Sequence, residues 1–325
     1  MRHLSLPLSL TALLVFISCS GKPMQRGNYF GQTPPDSGIA LFAPGLVNTA
    51  MNERDMTVSA DGNWMIYTVL NGNHGVLVGL HRAENGAWSG PEVLSFSGRY
   101  SDMEPAFSPL DGALFFASRR PRGETNSRQD YDLWRTVWNG SSWEEPENLG
   151  EAVNSEANEF YPGITNNGTV WFTSGREGSL GREDLFYCTW DGNAYSEAIH
   201  PGAPLNSPAD EFNACITPDG MMILYGTTSQ GAGVGGGDIY VSRLQEDGNW
   251  STPELLPVPV NSPRLDYSPS ITPDGQILFF TSTRSISASE TERLDYATLL
   301  KRYQSPGNGN GDIYWGRMSQ LIGAE

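Results

Sequence analysis

Acidic residues recur at one position of an imperfect repeat, and they are the strongest candidates for chemistry in this chain. The position lies five residues before an apolar residue that precedes each repeated turn, and its occupants are Glu53, Asp102, Glu159, Glu211 and Asp266. Two residues further along, the first two repeats carry a second acid, Asp55 and Glu104. Carboxylates gathered around one point can act as general acid and base, ligate a cation or bind hydroxyl groups.

Arginines near these acids offer a structural explanation for the same column. A Ser-x-Arg pattern or a near equivalent places an arginine in three repeats, where a guanidinium can grip the acid of its own repeat. The first and fourth repeats carry Asn71 and Ser229 instead, which makes Glu53, Asp55 and Glu211 the candidate catalytic residues. The candidate ligand-binding residues are the wider set of Glu53, Asp102, Glu104, Glu159, Glu211, Asp266, Arg120, Arg176 and Arg284.

Metal and cofactor sites are not indicated by the histidine and cysteine positions. The four histidines, at positions 3, 74, 81 and 200, are scattered and form no metal-ligand spacing with cysteine. We therefore expect no dedicated metal site and no cofactor. Calcium held by the carboxylates at the mouth of a central channel is the lesser alternative. Cys188 and Cys215 lie in apolar, strand-like runs of different repeats, and we expect both to be free thiols.

The elements that carry the acids repeat about every fifty residues. Asn/Asp-Gly turns begin at positions 61, 111, 167, 219 and 274, so their spacings are 50, 56, 52 and 55 residues. Each turn precedes a short apolar strand, and most repeats add a third strand, an aromatic turn and a closing Asn-Ser segment. Four short antiparallel strands per repeat are typical of a β-propeller blade.

The two ends of the chain indicate the number of blades. The fifth repeat stops after its third strand near Met318, whereas residues 41–49 carry an isolated closing segment before the first repeat. We therefore predict an all-β propeller of five four-stranded blades closed by an N-terminal strand, with six blades as the alternative. In the last long loop, the capping pattern Ser289–Glu292 and the apolar positions Tyr296, Leu299, Leu300 and Tyr303 predict one short helix of about three turns over the channel face.

Two repeats carry motifs that resemble a known family. Residues 216–220 (Ile-Thr-Pro-Asp-Gly) with 237–240 (Gly-Asp-Ile-Tyr), and 271–275 with 311–314, resemble the WD40-like repeat of TolB-like propellers in the bacterial envelope. The resemblance covers about Phe30 to Met318. It implies a propeller that binds proteins, and related propellers include carbohydrate-active enzymes. TolB itself has an additional N-terminal domain and six blades, so its role is not carried over.

The first residues have the pattern of an export signal. Arg2 and the apolar run from Leu4 to Ile17 predict a signal peptide over 1–18. The sequence Phe-Ile-Ser-Cys at 16–19 resembles a lipobox in which Cys19 is lipidated. We expect residues 19–33 to form a flexible tether and residues 34–325 to form a single propeller domain. The expected location is the bacterial cell envelope, on the periplasmic face or the cell surface.

Composition narrows the classes of partner. The chain has 20 basic and 37 acidic residues, a formal charge of −17, which argues against nucleic acid or an anionic membrane surface as a ligand. We expect a monomer that touches the membrane only through its lipid anchor and binds an envelope protein or a glycan without catalysis. The alternative is a glycoside hydrolase or polysaccharide lyase that uses carboxylates at the channel mouth.

Overall fold

Each predicted Asn/Asp-Gly turn closes a hairpin between the first two strands of a blade. The computed structural model describes residues 26–123, 130–228, 233–285 and 293–322. The glycines of the five turns have φ between 66° and 82°, a range that glycine adopts without steric cost. In the first turn the Ser59 hydroxyl donates to Asp61 at 2.5 Å, and three other turns repeat this bond with threonine. The recurring turn residues therefore form the same kind of hairpin in each blade.

Five sheets follow from these hairpins, with strands numbered along the chain. The first strands of the blades are β2 (Asn52–Val58), β6 (Asp102–Phe107), β10 (Glu159–Ile164), β13 (Glu211–Ile216) and β17 (Asp266–Ile271). The second strands are β3 (Trp64–Asn71), β7 (Leu114–Ser118), β11 (Val170–Ser174), β14 (Met222–Thr227) and β18 (Ile277–Ser282). The third strands are β4 (His74–His81), β8 (Asp132–Thr136), β12 (Asp184–Cys188), β15 (Asp238–Arg243) and β19 (Asp312–Arg317).

The outer strands are short, and the last of them closes the ring. They are β5 (Glu92–Val93), β9 (Glu147–Asn148), β16 (Glu254–Leu255) and β1 (Ala40–Leu41). In the third blade the outer strand is a single bridge between Tyr187 and Ile199. The N-terminal strand β1 pairs antiparallel with β19, so the fifth blade has the order β1-β19-β18-β17. The five-bladed propeller is confirmed, and the six-bladed alternative is wrong.

Five apolar clusters hold the ring together, one between each pair of adjacent blades. The cluster between the fifth and first blades contains Phe42, Phe279 and Trp315, whose rings meet edge-on or stacked at 4.9–6.1 Å. Burying one such side chain contributes about 1.5–3 kcal/mol. Closure of the ring therefore rests on the same sheet-to-sheet packing as the other four seams.

The N-terminal segment joins the propeller earlier than the predicted boundary at residue 34. Phe30 is buried and packs against Phe42 and Trp88, and the Trp88 indole donates to the Gly27 carbonyl at 2.8 Å. Because Tyr29 and Phe30 of the predicted tether pack against the apolar cluster between the fifth and first blades, the segment from residue 26 onward is part of the folded domain. The predicted signal peptide and Cys19 lie outside the described residues.

The predicted helix of the last blade is present but differs from expectation. Helix α1 (Tyr296–Tyr303) has about two turns rather than three, and Asp295 caps it by accepting from the Thr298 N–H at 2.7 Å. The expected capping pattern at 289–292 lies outside the described residues. The apolar side chains of helix α1 do not pack onto the channel face, since Tyr296 is 78% exposed and Tyr303 is 66% exposed.

A second short helix, α2 (Met318–Leu321), follows β19, and Asn28–Gly31 form a 3-10 turn. Among the described residues, no helix has the length and apolar character needed to cross a membrane.

Candidate ligand site at the channel mouth

The five acids of the repeated column begin the first strands, on the face opposite the Asn/Asp-Gly turns. We call this the upper face and the side with the turns the lower face. All five carboxylates are buried and accept hydrogen bonds from a serine or threonine of the preceding closing segment. The donors, in blade order, are Thr49, Ser97, Ser155, Ser207 and Ser262. Each acid therefore fastens the chain as it enters a new blade.

The arginines of the Ser-x-Arg pattern bind three of these acids. Arg120 lies 2.8 Å from Asp102, and Arg284 lies 2.6 Å from Asp266. Arg284 also donates to the Val260 carbonyl at 2.6 Å, so one guanidinium joins the second strand, the first strand and the closing segment. The third pair is Arg176 with Glu159, at 2.8 Å. Buried, multiply bonded pairs of this kind stabilise strand order.

A second ring of side chains reaches the channel itself, because each first strand contains a β-bulge. The residues at the bulges have φ between 50° and 60°, which is uncommon for residues other than glycine; they are Asp55, Glu104, Tyr161, Asn213 and Ser268. The register of every first strand shifts at this point. A bulge re-aims a side chain, and here it turns one polar group per blade toward the axis.

Contacts between blades show that these bulge residues meet. The Ser268 hydroxyl donates to Asp55 at 2.6 Å, and the Asn213 amide donates to Glu104 at 3.2 Å. The Tyr161 backbone N–H donates to the other Glu104 oxygen at 2.8 Å. The channel is thus plugged by a polar cluster drawn from all five blades.

Arg54 is the cation of this cluster and is not among the site residues predicted from the sequence. Its guanidinium lies 2.7 Å from Asp55 and 2.8 Å from Glu104, and it stacks over the Tyr267 ring with 4.9 Å to the centroid. The two carboxylates raise the pKa of Arg54 further above its usual value against the effect of burial. Burial raises the pKa of Glu104 to about 7, with Arg54 lowering it and Asp55 raising it. The available signal was an arginine between two acids on a buried first strand.

Above this cluster lies an open cavity of about 410 Å³ at the upper mouth of the channel. Its lining combines cations, carboxylates, an amide and aromatic rings: Arg54, Glu104, Arg182, Glu183, Asp210, Asn213, Phe160, Phe212 and Tyr267, with Thr173, Thr228, Gly236 and Leu265. Arg182 forms an ion pair with Asp210. The pKa of Glu183 is raised by burial and by Asp210. Within the described residues, the Glu183 carboxylate accepts no hydrogen bond.

The predicted site residues divide between these two layers. Only Glu104 lines the mouth cavity, and Asp55 lies in the polar cluster beneath it. The remaining candidates belong to the repeated column of acids and its arginines. The five acids and Arg120 are buried, and Arg176 and Arg284 are partly exposed; the acids are Glu53, Asp102, Glu159, Glu211 and Asp266. Asn71 is exposed, and Ser229 lies outside the described residues. Arg182 and Glu183 belong to the loop between the second and third strands of the third blade, and Asp210 belongs to the connection to the fourth blade; none of them was among the predicted site residues.

Other cavities and reactive groups lie away from this mouth. The lower face has a groove of about 610 Å³ between the third and fourth blades, lined in part by Trp171, Tyr187 and Trp250. Cys188 and Cys215 are both free, as expected, and burial raises the pKa of their thiols to about 12 and about 11. Across the described ranges, no group of three or more His, Cys, Asp or Glu side chains is arranged to hold a metal ion.

Comparisons with known proteins support the architecture. No protein-family model matches the chain, and no curated protein matches it. A solved structure described as a glycoside hydrolase aligns with 91% of this chain and 91% of its own, at 10% identity and a TM-score of 0.52. A putative TolB from Agrobacterium tumefaciens aligns with 82% of this chain and 91% of its own, at 14% identity and a TM-score of 0.47. The catalytic domain of the Coprinopsis cinerea GH62 alpha-L-arabinofuranosidase aligns with 84% of this chain and 93% of its own, at 10% identity and a TM-score of 0.47.

At 10% identity and a TM-score of 0.52, the alignment with the glycoside hydrolase structure shows a shared fold. The β-propeller implied by the repeat motifs is confirmed by the five blades themselves.

Proposed function

We propose that the chain is a non-catalytic binding module whose upper channel mouth takes a hydroxyl-rich glycan. The observation that carries the proposal is the mouth cavity, where charged and amide groups stand beside aromatic rings. Pockets with a few convergent polar groups and an apolar or aromatic wall suit small polar ligands. A sugar offers hydroxyl groups to Glu183 and Asn213 and C–H faces to Phe212 and Tyr267.

The state of the carboxylates favours binding over catalysis. Hydrolysis of a glycosidic bond needs two carboxyl groups free to exchange protons or attack the sugar. Glu104 accepts from Arg54 and Asn213 on one oxygen and from Tyr161 on the other, so its lone pairs are committed to the channel. Asp210 is bound by Arg182. Glu183 is then the one lining carboxylate without a hydrogen-bond donor among the described residues.

A glycoside hydrolase is the second candidate, and one observation favours it. Glu104 has a pKa raised to about 7 and shares the cavity with Glu183, and the two carboxylates interact electrostatically. A carboxyl group that stays protonated near neutral pH can serve as a general acid. Lyase chemistry at this mouth would draw on the same two groups.

A glycan array with the purified chain tests both candidates, and a pull-down from envelope extract tests for a protein partner. We expect retention of one class of oligosaccharide without release of shorter products. In Glu183→Gln the affinity should fall about 10-fold or more, because a hydrogen bond to a charged group contributes about 1.5–3 kcal/mol. Chromatography of the bound sugars separates the two functions. Shortened products that disappear in Glu183→Gln would favour the hydrolase, and capture of a protein alone would contradict glycan binding.

We also propose that the module is a monomeric envelope lipoprotein anchored through Cys19. The signal pattern of residues 1–18 and the Ser-Cys step at 18–19 support this location. Residues 26–28 run along the lower face beside Arg82 and Trp88. An anchor reaching the chain from that side directs the upper mouth away from the membrane.

Fractionation of cells tests the anchor. The chain should sediment with membranes and carry a diacylglyceryl mass on its mature N-terminus. In Cys19→Ala it should move to the soluble envelope fraction, because one or more acyl chains provide the attachment. Membrane association that persists in Cys19→Ala would contradict the lipid anchor, whereas a cytoplasmic chain would contradict export.

A further inference from the structure

The seams between blades share an arrangement of paired carboxylates. At four seams, the first acid of one blade donates its backbone N–H to the carbonyl of the residue before a third-strand aspartate of the preceding blade, at 2.8–3.0 Å. This bond places the two acidic residues side by side. The pairs are Glu53 with Asp312, Glu159 with Asp132, Glu211 with Asp184, and Asp266 with Asp238.

Two of the four seams contain arginine side chains that contact the pair, and a third contains His200, whose ring nitrogen lies 2.8 Å from Asp184. An arginine in this place offsets the repulsion between two buried carboxylates, whereas a histidine can contribute a hydrogen bond. The contacts are Arg176–Glu159 and Arg122–Asp132 in one seam, His200–Asp184 in the next, and Arg284–Asp266 in the third.

The seam where the ring closes is different. Glu53 and Asp312 are 0% and 1% exposed, and no described residue forms an ion pair with either. Thr49 donates to one oxygen of Glu53, and the Gly307 N–H donates to one oxygen of Asp312 at 2.8 Å. The remaining oxygens, Glu53 Oε2 and Asp312 Oδ1, are buried and have no hydrogen-bond partner among the residues that the structure describes.

The electrostatics of this seam agree with its geometry. Burial raises the pKa of Glu53, and burial together with the charge of Glu53 raises the pKa of Asp312 to about 6. Asn71, which stands where other blades carry arginine, is exposed at the end of β3. Among the described residues, these two adjacent buried carboxylates therefore lack the arginine or histidine partner that each of the other three seams contains.

We propose that the seam at ring closure is a cation site in which Glu53 and Asp312 bind Ca²⁺. Two carboxylates balance the charge of a divalent ion, and hard oxygen donors are what calcium prefers. Calcium tolerates irregular coordination completed by carbonyls and water, whereas Mg²⁺ demands a near-ideal octahedron. The ion would balance the charge of the buried carboxylates, as an arginine does in other blades. It would lock the closing segment, through Thr49 and Glu53, onto the fifth blade.

Thermal unfolding of the full chain in EDTA and in millimolar CaCl2, near neutral pH, tests the site. Calcium should raise the Tm of the wild type by about 3–6 °C, as expected for a ligand that binds the folded state alone. Glu53→Gln should lose this shift. Its Tm in EDTA should equal or exceed that of the wild type, because the amide keeps an acceptor for Thr49 and adds a donor beside Asp312. Asp312→Asn should behave in the same way.

Asp238→Asn is the matched control. Asp238 Oδ1 is also buried with no hydrogen-bond partner in the described part of the chain, but its seam already contains Arg284. This variant should retain the full calcium shift. A wild-type Tm that does not respond to CaCl2 would overturn the site, and so would an equal shift in Glu53→Gln and Asp312→Asn. Neither outcome bears on glycan binding at the mouth, which uses other residues.

Discussion

Replacing Arg54 by methionine is expected to lower the free energy of unfolding by about 3–5 kcal/mol, the largest effect that any single substitution should have here. Arg54 holds two buried carboxylates, Asp55 and Glu104, at the centre of the channel. Methionine preserves much of the side-chain volume but leaves both acids without their cation. The cost is therefore that of buried, uncompensated charge rather than that of a cavity.

Urea unfolding measures this cost, and Arg135→Met is its control. Arg135 pairs with Asp111 at 2.9 Å, but both side chains are at least 32% exposed, so the change should cost less than about 1 kcal/mol. Adding Glu104→Gln to Arg54→Met should restore part of the loss, since one unpaired charge is removed. If Arg54→Met were as stable as Arg135→Met, the polar cluster could not be what holds the channel together.

Replacing Asn48 by alanine should lower the free energy of unfolding by about 2–4 kcal/mol. Asn48 is fully buried and binds across the ring closure: its amide accepts from the Ile313 N–H at 2.7 Å and donates to the Ile313 carbonyl at 2.8 Å. It also donates to the Phe42 carbonyl. The Ile313 carbonyl still accepts from the Phe42 N–H at 2.9 Å, but alanine removes the side-chain partner of the Ile313 N–H and of the Phe42 carbonyl, and leaving buried backbone groups unpaired costs more than a lost hydrogen bond alone.

Asn85→Ala is the matched control for this loss, because Asn85 is exposed in a turn and accepts only from the nearby Ala87 N–H among the described contacts. Its effect should be within about 1 kcal/mol. Differential scanning calorimetry gives both values. An Asn48→Ala chain that unfolds at the wild-type temperature would mean that β1 closes the ring through packing alone.

The fold could be predicted because its signals are local. An Asn/Asp-Gly turn, a short apolar strand and a closing Asn-Ser segment each reflect the chemistry of a few adjacent residues, and repetition multiplies them. Asn154, Asn206 and Asn261 bind the third strands as Asn48 does, so even the N-terminal closing strand was visible in the pattern. The position of helix α1 in the sequence could be predicted because the spacing of its apolar residues is a local signal. No local signal indicates whether the apolar side of the helix is covered by the rest of the protein.

The site was harder to predict because it depends on how blades meet. The acids of the column that contains Glu53 and Glu159 recur in every blade, and they hold each blade's closing segment and first strand together. The mouth instead combines residues that do not repeat, such as Arg54, Arg182 and Glu183, from different strands and loops. The bulges that turn Glu104 and Asn213 toward the axis shift the register by one residue, and a strict two-residue period does not reveal them.

Isothermal titration of an oligosaccharide selected on the array, against the wild type and two variants, tests the central claim that the upper mouth is the binding site. Glu183→Gln alters the mouth, and Asn166→Ala alters an exposed position of the lower groove. We predict a loss of affinity of about 10-fold or more in the first and none in the second. Unchanged binding in Glu183→Gln together with weakened binding in Asn166→Ala would contradict the claim and place the ligand on the lower face.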